Sequence, residues 1–199
     1  MKRACVFHSE ALFRALPALV LLAYLVMTEP PAVLLLFLGA LATHEWGHLV
    51  AFRLVGAQDP AFSIAGVGAR LSPSLPLLPK DELWVALAGP LSNILFALLA
   101  LRFGRGDFFL LLAAVHLLFG VCNLLPFGLT DGERVMRLLL ARSFPRFSER
   151  LTRVIGAIFL AFLFYFSLFL YYLTGNGLAG IFFSLFFLLG HKNSFSDVF

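Results

Sequence analysis

Two histidines separated by four positions surround a glutamate in an apolar stretch of this chain. The segment from His44 to His48 reads HEWGH. On a helix, residues at this spacing lie on one face about one turn apart, so the two imidazoles can bind one zinc ion. Glu45 can then accept a proton from water whose pKa the zinc lowers to about 7. The spacing indicates a catalytic zinc site; the alternative is a chance match, or two buried histidines with hydrogen-bond partners.

A catalytic zinc ion usually takes three protein ligands and keeps one open position, so a further ligand is expected elsewhere. The segment from Asn123 to Gly132 reads NLLPFGLTDG. Its proline and glycines interrupt the helical pattern and present Asp131 at the end of an apolar run. Asp131 is therefore the predicted third ligand. Its alternative role is the N-cap of a helix beginning at Gly132.

The composition indicates that this chemistry takes place in a membrane. Of 199 residues, 61% are hydrophobic and 13% are charged, whereas soluble domains carry about 25% charged residues. An acidic side chain in the middle of a membrane helix costs about 2.5–3.5 kcal/mol, which makes Glu45 a functional candidate. Although the net charge is +4, the sequence has no polybasic cluster with interleaved aromatic residues. The expected surroundings are therefore a lipid bilayer, and nucleic acid is not an expected partner.

The apolar runs predict an all-α integral membrane protein, a bundle of six transmembrane helices in one domain over residues 1–199, without a PDZ or CBS domain. Each run is close to the length that a bilayer requires, and the predicted spans are residues 11–28, 31–55, 83–101, 108–125, 154–173 and 177–190. Between the second and third spans, residues 63–71 predict a short strand, a β-hairpin or a re-entrant loop. Pro73, Pro76 and Pro79 are expected to prevent a helix from starting before the third span.

Basic residues predict the orientation. All lysines and arginines except Arg102 and Arg105 fall on one side of the predicted spans, so that side and both termini are expected to be cytoplasmic. The second and fourth spans then run in the same direction and carry their polar groups in the cytoplasmic half. His44, His48 and Asp131 are therefore predicted to meet.

These motifs together resemble the site-2 protease family of intramembrane zinc metalloproteases. HExxH in one span with NxxPxxxxDG in a later one is similar to the family's signature pair, and residues 88–93, AGPLSN, are similar to its GPxxN element. The resemblance implies that His44, His48 and Asp131 bind Zn²⁺ and that Glu45 is catalytic. It is strongest to compact bacterial members that process a sporulation sigma-factor precursor, which implies a multi-pass protein of the bacterial cell membrane.

Three further residues are candidates for substrate binding. Asn123 matches a polar residue beside the family's active site, Asn93 ends the GPxxN element, and Gly66 lies in a glycine-rich hairpin. Both asparagines have an alternative role in hydrogen bonds between helices. His116, two helical turns before Asn123, is predicted to be a buried hydrogen-bonding group and not a ligand.

The predicted function is a zinc-dependent endopeptidase that cuts a membrane-embedded or membrane-tethered protein substrate. His48 lies about 10 Å from the inner end of the second span, and His44 lies about 20 Å from its outer start. The cut is therefore expected in the cytoplasmic third of the bilayer, where it would release a cytoplasmic regulator. The alternative is a non-catalytic membrane protein that binds or transports a metal.

Overall fold

The computed structural model describes residues 30–56, 61–65, 68–72, 77–126 and 130–175. They divide into two compact units, one ending at Leu124 and the other beginning at Leu125. The helices and strands, in chain order, are α1 (Pro31–Leu54), β1 (Ala61–Ala65), β2 (Gly68–Ser72), α2 (Pro79–Phe103), α3 (Asp107–Leu124), α4 (Asp131–Ser143) and α5 (Ser148–Thr174).

Four of these helices, α1, α2, α3 and α5, are long and apolar enough to cross a membrane. They match the second to fifth predicted spans and support a membrane location for the chain. The first and sixth predicted spans, residues 11–28 and 177–190, lie outside the described residues. The total of six spans therefore stays a prediction.

Prolines begin the first two of these helices. Pro31 is at the start of α1 and Pro79 at the start of α2. The expectation that Pro79 prevents a helix was therefore wrong. At the first helical position a residue has no intrahelical partner for its N–H, and the proline ring already holds a helical φ. Asp81 and Glu82 follow in the first turn of α2, where their charge complements the helix dipole.

A two-stranded antiparallel hairpin lies between α1 and α2. Its register places Phe62 opposite Leu71 and Ala65 opposite Gly68, and β2 contacts α1. The strands occupy the segment for which a strand or hairpin is predicted from the sequence. Gly66 lies in the connection between them, outside the described residues.

Small residues bring the three helices of the first unit close together. A Cβ atom added at Gly47 would lie 2.6 Å from the Ala88 carbonyl oxygen, and one added at Gly120 would lie 2.9 Å from the Pro90 carbonyl oxygen. Large apolar side chains such as Leu35 point outward instead. Small residues at helix contacts are typical of membrane proteins, where lipid solvates large apolar side chains as well as the protein interior does. This packing positions the polar residues of α1 and α2.

We predict that Gly120→Ala destabilises the fold by about 1–3 kcal/mol, the usual cost of overpacking. The added methyl group would also lie 3.2 Å from both Asn93 Cβ and Ile94 Cγ1, so α2 and α3 must separate. The measurement is the free energy of unfolding in mixed micelles. Gly39→Ala is the control, because its Cβ has no neighbour within 4 Å. Equal stability of the two variants would contradict the close contact.

Candidate metal centre

The two histidines of the HExxH segment converge on one point. His44 and His48 lie on the buried face of α1, which also carries Leu36 and Ala40. Their Nε2 atoms are 3.1 Å apart, and their rings are nearly perpendicular, at 85°. Two nitrogens bound at about 2.0–2.1 Å to a tetrahedral zinc ion are roughly 3.3 Å apart. The pair therefore has the spacing of two ligands of one ion.

A backbone carbonyl on α2 fixes the second imidazole. His48 Nδ1 donates a hydrogen bond of 2.8 Å to the carbonyl oxygen of Val85. The neutral ring then carries its proton on Nδ1 and keeps the lone pair of Nε2 for a metal. Metal-binding histidines commonly have such a partner on the other nitrogen, because it fixes both tautomer and ring orientation.

Gly89 leaves the space that the two rings occupy. A Cβ atom at this position would collide with His48 Nε2, and it would lie 2.6 Å from His48 Cε1 and 2.9 Å from His44 Cε1. Val85, Gly89 and Asn93 follow each other at intervals of four, so they form one stripe along α2. This stripe lies against the stripe of α1 that carries both histidines.

Asn93 and His116 continue the polar contacts behind His44. Asn93 is fully buried, with its Nδ2 atom 3.4 Å from His44 Nδ1 and its Oδ1 atom 3.0 Å from His116 Nδ1. His116 is also buried and stacks on Phe96 at 4.4 Å between ring centroids. The prediction of a buried, hydrogen-bonded His116 is confirmed. The amide of Asn93 contacts two imidazoles. Its suggested role in substrate binding stays a prediction.

The remaining predicted site residues lie in different places. Glu45 is partly exposed on α1, beside His44. Asn123 is near the end of α3, where its Nδ2 atom donates a 3.0 Å hydrogen bond to the Phe119 carbonyl oxygen of the same helix. Gly66 is outside the described residues. The catalytic role of Glu45 and the substrate-binding roles of Asn123 and Gly66 stay predictions.

Asp131 is the first residue of α4, and Thr130 is the N-cap. The Thr130 hydroxyl accepts a 3.4 Å hydrogen bond from the Glu133 backbone N–H and donates one of 2.6 Å to the Leu125 carbonyl oxygen. The alternative role of Asp131 as the N-cap is therefore wrong, because the preceding threonine has it. Asp131 stays the predicted third ligand. Two imidazoles and a carboxylate are ligands that zinc takes.

Val85 and Gly89 contribute to this site in ways that the sequence motifs did not assign. Val85 acts through its backbone carbonyl, and Gly89 acts through the side chain that it lacks. The available signal was the interval of four residues from Val85 through Gly89 to Asn93, which repeats the interval between the histidines. Matching intervals on two helices predict that two stripes can face each other.

We predict that Gly89→Ala weakens zinc binding by about tenfold or more, because both rings must leave their present positions. Loss of ring orientation by removal of a supporting partner alone costs 10- to 100-fold in metal affinity. The measurement is the zinc Kd by chelator competition in detergent. Gly39→Ala, on the helix that carries the histidines, is the control and should bind as the native protein does. Native affinity in Gly89→Ala would contradict the proximity of α2 to the rings.

Comparison with known proteins identifies the fold. No protein-family model matches this sequence, and no curated protein matches it. Among solved structures, the site-2 protease from Methanocaldococcus jannaschii is similar to this chain, with a TM-score of 0.63 and 21% sequence identity. The similarity covers 90% of this chain and 86% of that one. The chain therefore has the fold of a site-2 protease.

Proposed function

We propose that this chain is an intramembrane zinc metalloprotease of the site-2 protease family, which cuts a membrane-tethered protein in or near its transmembrane segment. The observation that carries this proposal is the convergence of His44 Nε2 and His48 Nε2 at 3.1 Å on a membrane-spanning helix. The hydrogen bond from His48 Nδ1 to Val85 supports it, since it leaves Nε2 free of its proton. The shared fold supports it independently.

The proposed zinc ligands are His44, His48 and Asp131. The two histidines fit this role by the spacing of their Nε2 atoms, and His48 also fits it by its tautomer. Gly89 provides the room that the rings require. Asp131 is proposed as the third ligand because zinc needs one more protein donor and because Thr130 already caps α4. The resemblance of the segment around Asp131 to the family's second motif also supports it.

Glu45 is the proposed general acid and base. A zinc ion bound at this site supplies Lewis acidity, which polarises a peptide carbonyl and lowers the pKa of water. Glu45 takes a proton from the attacking water and gives one to the leaving amine. It is adjacent to His44 and partly exposed on α1, so a water molecule can approach it. The carboxylate thus serves both halves of the hydrolysis.

The site lies closer to one end of α1 than to the other. His48 is six residues from Leu54, and His44 is thirteen residues from Pro31, which correspond to about 9 Å and about 20 Å along the helix. With the orientation that the basic residues predict, the nearer end is cytoplasmic. The cut then falls in the cytoplasmic third of the membrane and releases a cytoplasmic regulator.

An edge of the β1–β2 hairpin is the proposed site for an unwound substrate segment. A peptide in a helix has its carbonyls in internal hydrogen bonds, so it must become extended before water can attack. A two-stranded sheet has unpaired backbone groups along its outer edges, and an extended peptide can add to such an edge as a further strand. The helix break after Leu124 is expected to line the water-accessible side of the site.

We predict that Glu45→Gln retains zinc and loses peptide cleavage by about 10²–10⁴-fold, the range for general acid–base catalysis. The substrate can be found as a membrane protein that accumulates uncut in cells carrying this variant, and cleavage is then measured with purified components. Glu149→Gln makes the same chemical change on α5 and should cleave normally. Cleavage of this substrate by Glu45→Gln at the native rate would exclude Glu45 as the general acid and base. A native protein that binds zinc and cuts no accumulated membrane protein would instead favour the metal-binding or transport alternative.

We predict that Asp131→Ala lowers the zinc content below one ion per chain, because a site with two protein ligands retains the metal poorly. The measurement is elemental analysis after dialysis against a weak chelator. Glu133→Ala also removes an acidic residue from the first turn of α4, with a similar effect on the helix dipole, and should keep its zinc. One ion per chain in both variants would exclude Asp131 as a ligand.

A further inference from the structure

Five groups in the first unit form a continuous series of contacts that includes both predicted histidine ligands. His116 Nδ1 lies 3.0 Å from Asn93 Oδ1, and Asn93 Nδ2 lies 3.4 Å from His44 Nδ1. His44 Nε2 lies 3.1 Å from His48 Nε2, and His48 Nδ1 lies 2.8 Å from the Val85 carbonyl oxygen. This series of contacts links three helices, from His116 on α3 to the backbone of α2.

Every hydrogen bond in this series of contacts points in the same direction, from donor to acceptor. The Asn93 amide oxygen only accepts, so His116 Nδ1 carries a proton, and the Asn93 NH₂ group donates, so His44 Nδ1 offers a lone pair. A neutral His44 with a lone pair on Nδ1 carries its proton on Nε2, where it can be donated to His48 Nε2. His48 in turn donates from Nδ1 to Val85.

Metal binding by His44 requires the opposite arrangement at that ring. Its Nε2 lone pair must face the ion, so its proton must be on Nδ1, which then needs an acceptor. Asn93 becomes that acceptor if its amide turns over and presents Oδ1 to His44. The NH₂ group then faces His116 Nδ1, which must accept. Each imidazole keeps one proton, moved from one nitrogen to the other.

The packing around Asn93 leaves little freedom for its Cβ atom. The side chain is fully buried, and Gly120 packs against it so closely that an added Cβ would lie 3.2 Å from Asn93 Cβ. The terminal amide torsion is broad and roughly two-fold, so both orientations of the amide are available to it. Stacking on Phe96 holds the His116 ring in place. Both imidazoles therefore stay within reach while donor and acceptor exchange.

We propose that Asn93 and His116 are positioning residues. When a metal binds at His44, the Asn93 amide turns over and His116 changes its tautomer. The proposal rests on the zinc site of the proposed function. It differs from a purely structural use of Asn93, because a fixed hydrogen bond between helices would hold His116 in one tautomer whether or not a metal is bound. The zinc-binding form of His44 is thus selected from behind, by α2 and α3.

The first test is the tautomer of His116 by ¹⁵N NMR of the full chain, labelled at histidine, in nanodiscs with zinc and with chelator. The chain has 5 histidines, so single substitutions can assign the signals. We expect the protonated nitrogen of His116 to change from Nδ1 to Nε2 when zinc binds. An unchanged His116 tautomer in protein that binds zinc would overturn the proposal. A native protein that binds no zinc would instead overturn the proposed function.

The second test uses two substitutions at Asn93 with opposite expected effects. Asn93→Leu has no acceptor for His44, so zinc should bind about 10- to 100-fold more weakly. Asn93→Asp has two acceptor oxygens and can accept from both imidazoles at once, so zinc affinity should be restored and His116 should keep its proton on Nδ1 in both states. Restored zinc affinity together with an unchanged His116 tautomer is not expected of a residue that only fills space.

The control is Thr152→Val, which removes a buried hydroxyl that donates 2.7 Å to the Ser148 carbonyl oxygen of its own helix. It should not change zinc affinity or the His116 signal. Native zinc affinity in Asn93→Leu would overturn the proposal. If Asn93→Leu does not fold, the His116 signals of the native protein and of Asn93→Asp still decide it, since a change of tautomer in Asn93→Asp would equally contradict the role of the amide.

Discussion

The close approach of α1 to α2 is the constraint on which this site depends. Where the two helices meet, Gly47 lies against Ala88 and Ser92, and Gly89 lies against both histidine rings. A larger residue at either position would separate the helices. The hydrogen bond from His48 Nδ1 to the Val85 carbonyl oxygen would then lengthen. The two glycines therefore allow the approach at which the Val85 carbonyl holds His48 in the tautomer that a metal needs.

The membrane makes this polar interior expensive unless every group has a partner. Within the described part of the chain, no buried side-chain nitrogen or oxygen is without a hydrogen-bond partner. The Ser92 hydroxyl lies 2.9 Å from the Thr43 carbonyl oxygen and 2.6 Å from the Gly89 carbonyl oxygen, and the two oxygens share its one proton. This contact links α1 to α2 beside the histidines. Partners of this kind offset the cost of burying polar groups among lipid-facing helices. They also restrict the rings to few orientations, so the two Nε2 atoms stay close together.

The similarity to the Methanocaldococcus jannaschii site-2 protease persists at 21% sequence identity. Such divergence is physically reasonable in helices that face lipid, because most outward positions, such as Leu35 and Leu95, need only be apolar. The positions at helix contacts have much stricter requirements. A glycine that faces an imidazole has no equivalent substitute, whereas one leucine at the lipid surface can replace another apolar residue.

The sequence by itself determined the membrane class, the approximate positions of four helices and the pairing of His44 with His48. These follow from properties that are local in the chain: the length of an apolar run and a spacing of four on a helix. The buried face of α1, α2 and α3 was harder to predict, because apolar residues cover these three helices almost uniformly. Periodicity of hydrophobicity identifies a core only where water is the solvent.

Only the tertiary structure decided what surrounds the histidines. The partner of His48 is a backbone carbonyl 37 residues away, and every residue has such a carbonyl, so no side chain marks Val85. The roles of Thr130 as N-cap and of Asn93 between two imidazoles depend on differences of a few tenths of an ångström in hydrogen-bond distance. Hydrogen bonds are directional and short-ranged. Residue types can therefore nominate the ligands, but only packing in three dimensions sets the tautomers with which they bind.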